Sequence, residues 1–139
     1  MPQADRWGLH DPRMQGFMAR YEKAWQDPHN APELKQFWTD DAEVYVGGDM
    51  DNPVRGAKAA AAMVDVFLKV APDISMVPMA AAENPEEDLL FIQFTCAGTF
   101  KGQHVKWVAV DRFEFPPEGD QAKRGYSFFS PPEAVAAFE

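Results

Sequence analysis

The chain is poor in the residues that build disulfides, metal sites and nucleic-acid surfaces. Its one cysteine, Cys96, has no partner for an internal disulfide. Three scattered histidines, His10, His29 and His104, give no CxxC or HExxH spacing with it, so neither a metal nor any other cofactor is expected. Basic residues are outnumbered, 13 Lys and Arg against 22 Asp and Glu, for a formal charge of -9. That balance repels phosphate backbones and anionic bilayers, so nucleic acid and membranes are not expected partners. No apolar run approaches the length of a membrane span, and the opening MPQADRWGLHDPRMQ lacks the apolar core of a secretion signal. A soluble, cytoplasmic protein is the expectation.

Aromatic residues, by contrast, are abundant. Four Trp and eleven Phe in 139 residues exceed what a small two-layer core needs, which points to an aromatic-lined cavity or a dimer face. The length suits one domain, 1–139. Met14, Phe17, Met18, Tyr21 and Trp25 recur at helical steps behind an Asp11-Pro12 cap, which predicts a first helix over 12–26. Residues 32–38, opened by Pro32 and carrying Leu34, Phe37 and Trp38, predict a short second helix, and AEVYV a strand. The following GGDMDNP has the composition of an exposed loop. Met63, Val66, Phe67 and Val70 predict a third helix over 56–70. Strands are expected over 74–82, 89–100, 105–115 and 123–129, with turns at Asn84-Pro85, Lys101-Gly102 and Pro116-Pro117. This order predicts an α+β fold, with a curved antiparallel sheet wrapped around three N-terminal helices and a pocket between the first helix and the concave face.

Four segments carry a resemblance. Gly16-Phe17-Met18-Ala19-Arg20-Tyr21 is similar to the helix of bacterial ketosteroid isomerases that supplies their catalytic tyrosine. Trp38-Thr39-Asp40-Asp41-Ala42-Glu43-Val44 resembles that family's Tyr-Ala-Asp-Asp-Ala-Thr-Val. Gly102-Gln103 followed by Val108-Ala109-Val110-Asp111-Arg112-Phe113 is similar to its Gly-Gln and Val-Ile-Asp-x-x-x-Phe, and Phe128-Phe129-Ser130 to its Tyr-Trp-Ser. In this order the segments resemble the NTF2-like superfamily, a cystatin-like cone that includes the ketosteroid isomerases and the SnoaL-like polyketide cyclases. The resemblance implies a pocketed cone, a homodimer and a small hydrophobic ligand.

It also implies that Tyr21 and Asp111 donate hydrogen bonds to a substrate oxygen, the acid being kept neutral by an apolar site, a case known from ketosteroid isomerase itself. Strand alternation independently puts Asp111 on one face with Val105, Trp107, Ala109, Phe113 and Phe115, where burial raises a carboxyl pKa. An ordinary core would instead tie off the tyrosine hydroxyl and pair the aspartate. The family's general base has no counterpart, since its position falls on Val46 or, allowing one inserted residue, Gly47. Asp49 and Asp51 in the loop are the substitutes within reach in sequence, although Asp beside Gly, Asn and Pro is also ordinary turn chemistry. The expected pocket wall comprises Trp25, Val46, Met63, Phe67, Phe94, Cys96, Trp107, Phe113 and Phe129.

Three readings stay open from the sequence. The first is an enzyme for isomerisation, dehydration or cyclisation of a hydrophobic carbonyl compound, of the isomerase or lyase kind. The second is a binding module that has lost its base. The third is a dimerisation domain with a filled core. The strand face bearing Lys106, Val108, Val110, Arg112 and Glu114 is the expected dimer contact.

Overall fold

The computed structural model describes residues 5–46 and 50–130, and of Lys35, Phe129 and Ser130 only the backbone. Helix α1, Pro12–Gln26, starts where Asp11 accepts a hydrogen bond from the Arg13 amide at 2.8 Å, and Pro12 fills the first turn. Its apolar stripe, from Met14 to Trp25, is buried.

The expected second helix is corrected to two short 3-10 turns, Pro28–Asn30 and Pro32–Lys35. Pro28 and Pro32 each remove an amide donor, so i→i+3 bonds such as Leu34 N to Ala31 O at 3.1 Å take the place of an α-helical ladder. Phe37 and Trp38 do not extend that element, because the first strand, β1, already spans Trp38–Val46. A strand absent from the sequence expectation, β2, Val54–Arg55, pairs antiparallel with β1. Helix α2 spans Ala57–Val70, so there are two α-helices among the described residues rather than three.

The remaining strands are β3 Ser75–Asn84, β4 Leu89–Phe100, β5 Gln103–Glu114 and β6 Ala122–Ser130. They form the expected antiparallel meander, in a six-stranded open sheet ordered β2-β1-β6-β5-β4-β3. The sheet as a whole is mixed, because β1 lies parallel to β6. Residues 47–121 separate those two strands, so no tight hairpin imposes an antiparallel pairing. Helix α1 packs toward β3 and α2 toward β1, closing one face of the sheet. No helix among the described residues is long and apolar enough to cross a membrane.

Register decides which face Asp111 occupies. Lys101 (φ 51) and Gly102 (φ 79) both take the left-handed conformation of a type I′ hairpin turn, and this closes β4 on β5 with Phe100 opposite Gln103. From there the ladder runs unbroken to Ile92 opposite Asp111, and on the other side Asp111 faces Ser127 of β6. A slip of one residue would turn the whole inner row outward.

Candidate functional site

Between α1, α2 and the inner sheet face lies a cavity with about 70 Å³ of free volume, open to solvent. Tyr21 and Trp25 reach it from α1, Met63 and Phe67 from α2, Val46 from β1 and Cys96 from β4. Trp107, Asp111 and Phe113 reach it from β5. Phe94 is fully buried but stands behind the wall, its ring 5.9 Å from that of Tyr21, which corrects its expected place in the lining. The Phe129 side chain and all of Asp49 fall outside the described residues. Asp51 is exposed and does not border the cavity, because the turn residues Asn52 and Pro53 keep its segment at the surface.

Tyr21 sits in an aromatic cage, with ring centroids of Phe37 at 5.0 Å, Phe113 at 5.2 Å and Phe17 at 5.6 Å. Its hydroxyl donates to Oδ2 of Asp111 at 3.4 Å, longer than the ~2.5–3.0 Å of an ordinary O–H···O bond. Asp111 is the buried charged residue of the described chain. Burial pushes its carboxyl up to about 6, while the hydroxyls of Ser127 and Tyr21 favour the ionised form and hold it back. Burial, and then the charge of Asp111, raise Tyr21 well above 10.0, so the phenol stays protonated. The two groups expected to stand side by side as donors thus meet each other, the Tyr21 hydroxyl facing one oxygen of a carboxyl that burial makes easier to protonate than an ordinary one.

Cys96 lies opposite Trp107 on the neighbouring strand, and burial lifts its thiol to about 12. No group of three His, Cys, Asp or Glu side chains among the described residues is arranged to hold a metal ion.

Three buried side-chain polar atoms lack a hydrogen-bond partner among the described residues: Oδ1 of Asp111 and the indole nitrogens of Trp25 and Trp107. All three residues border this cavity. Against the upward push of burial and of the Asp111 charge, Trp25 favours the phenolate form of Tyr21, although its N–H makes no hydrogen bond among the described residues. Sequence reasoning missed Ser127 and treated the tryptophans only as apolar wall. Counting β6 against β5 from the Asp111 rung would have found the serine.

Residues 18–124 match the SnoaL-like domain family. The chain belongs to this family. No curated protein matches the sequence. Among solved structures, the chain is similar to a candidate SnoaL-like polyketide cyclase from Jannaschia sp. CCS1, at 15% identity and a TM-score of 0.76, over 93% of this chain and 95% of that one. It also resembles IdmH, a candidate polyketide cyclase from Streptomyces antibioticus, at 12% identity and a TM-score of 0.69, over 90% and 97% of the two chains. An NTF2-like protein of unknown function from Burkholderia pseudomallei K96243 aligns at 13% identity and a TM-score of 0.75, over 91% and 98%. At such identities the likeness concerns the fold, which is the α+β SnoaL-like, NTF2-like cone.

Proposed function

We propose that this SnoaL-like domain is a small-molecule enzyme that moves a proton on a hydrophobic carbonyl compound, in an isomerisation, dehydration or cyclisation. The observation that carries this reading is Asp111: it is the one carboxylate among the described residues bordering the apolar cavity, with Oδ2 held by Tyr21 and Oδ1 unpartnered. A carboxyl with a pKa lifted to about 6 can both take and return a proton near neutral pH. In the proposed step Oδ1 of Asp111 removes a proton from the carbon next to the carbonyl, leaving an enolate. The resulting acid then gives the proton back to a carbon or to a departing hydroxyl. Tyr21 is a positioning residue, since its hydroxyl fixes the carboxylate and holds its pKa down.

The test is exchange of the α-protons of 1-tetralone in deuterated water, followed by NMR. Wild type is expected to accelerate exchange, and Asp111→Asn to lose about a hundredfold or more, the scale of general-base catalysis. Binding of the ketone without any acceleration would reject the enzyme reading. It would favour a non-catalytic binding module, which the Val46 side chain at the cavity wall supports, since the isomerases place their base there.

We further propose that the protein is a homodimer through the outward sheet face. Supporting this, Val77, Val108 and Phe128 are exposed on that face by 51%, 43% and 42%, and the rings of Tyr45, Tyr126 and Phe128 stack in a row across it. Arg112 lies over the Tyr126 ring at 5.0 Å.

A further inference from the structure

The two unpartnered indole nitrogens have no part in the proton transfer just described. Trp25 and Trp107 are 6% and 4% exposed, and both border the cavity. A buried tryptophan ordinarily finds an acceptor for its N–H, because a donor taken from water and left unpaired loses its hydration with no return. Tyr21, Asp111 and Ser127 carry acceptor oxygens in the same wall, yet neither indole nitrogen is in hydrogen-bonding geometry with any described group. The two differ in place. Trp25 stands one helical turn from Tyr21, with ring centroids 6.4 Å apart, so its N–H is next to the Tyr21–Asp111 pair. Trp107 lies on β5 on the same face as Asp111 but four residues away, roughly 13 Å along an extended strand. Phe100 braces its ring at 5.5 Å, so the donor is held rather than free to turn away.

We propose that Trp25 and Trp107 are the specificity-determining donors of this pocket, and that its ligand is a rigid, mostly apolar ring compound carrying two acceptor oxygens on separate parts of its frame. The oxygen nearer Asp111 accepts from Trp25 and belongs to the reacting carbonyl. The second, a ring-borne ether, hydroxyl or carbonyl oxygen, accepts from Trp107. The free volume of about 70 Å³ is smaller than the ~150 Å³ apolar cavity that takes one benzene ring, so the frame must also occupy the mouth. The half-buried Met63, Phe67 and Met76 line that route, and methionine side chains yield readily to an irregular shape. A ligand that fills the pocket without an acceptor at these points shuts the indole donors away from water unpaired, and loses affinity for it. Discrimination therefore falls on oxygen position more than on bulk. The inference rests on the cavity being the ligand site, but not on Asp111 being catalytic.

The test compares 6-methoxy-1-tetralone with 6-ethyl-1-tetralone, which has the same shape and lacks the second acceptor. Binding to the full chain is read by ¹H–¹⁵N NMR of the indole N–H groups, assigned through their contacts to neighbouring rings. The methoxy compound is expected to bind roughly five- to tenfold more tightly and to move both the Trp25 and Trp107 resonances. The ethyl compound should move that of Trp25 alone. Trp107→Phe should erase the preference, and Trp25→Phe should weaken both compounds equally. Equal affinities for wild type, unmoved indole resonances in the bound state, or failure of both compounds to bind would each overturn the proposal. Reading α-proton exchange on the same samples separates the two ideas. Indole shifts without exchange would uphold the donors and reject proton transfer, whereas exchange without preference would do the reverse.

Discussion

A carboxyl that is easier to protonate in the folded than in the unfolded chain makes stability fall as pH rises. For Asp111 the pKa goes from 3.8 to about 6, so the folded state holds the extra proton between those values and loses that advantage above about 6. At 1.36 kcal/mol per unit the cost of the buried charge is on the order of 3 kcal/mol at neutral pH. Asp111→Asn is therefore expected to be more stable than wild type above pH 6, with the difference vanishing near pH 4, as urea unfolding across that range would show. If Asp111 acts as the base, kcat/KM for proton exchange should rise through about pH 6, whereas an acid donor would give a fall. Tyr21→Phe removes a hydroxyl that favours the carboxylate, so it should move this midpoint upward, an effect that a purely structural tyrosine would not have. Cys96, lifted to about 12, should resist thiol reagents at pH 8 in the folded protein and react once it is unfolded. Strand alternation was enough to read Asp111 as inward-facing. Its pairing with Tyr21 was not readable from periodicity, because the two residues are 90 positions apart and only the resemblance placed them together.

Elements with a sustained period were legible in the sequence, and those set by a few local bonds were not. Helix α1 and strand β4 keep their apolar rhythm from end to end, and their observed bounds are those expected, Pro12–Gln26 and Leu89–Phe100. Leu34, Phe37 and Trp38 mimic a helical turn only because the first packs from a 3-10 turn and the last opens a strand. The two residues of β2 are too few to show any period. Gly125 of β6 illustrates a demand that a single sequence hides. A Cβ there would lie 2.3 Å from the Trp38 indole, which also packs on Phe113 at 5.7 Å and borders the cavity. Gly125→Ala must push this ring aside, and we expect a loss of about 1–3 kcal/mol in urea unfolding, together with weaker ligand binding.

For the whole molecule, the cone follows from a sheet whose inner face is greasy and whose outer face alternates apolar, aromatic and charged groups. If a second copy covers the outer face, sedimentation at micromolar concentration should give twice the chain mass, and replacing both Val108 and Phe128 with Lys should return monomers. A monomeric wild type would reject that arrangement. The parallel contact of β1 with β6 lay beyond sequence reasoning, because no turn joins those strands to announce it. The Lys101-Gly102 turn also sets an order of events. Strands β4 and β5 are neighbours in sequence and can zip early from their hairpin, whereas α1 reaches Asp111 only through a contact closing most of the chain. The aspartate is then placed by a local event and made weakly acidic by a late one. Between about pH 4 and 6, proton uptake by Asp111 during refolding would mark the moment the helix docks, so the residue proposed as the base would also time the completion of its own pocket.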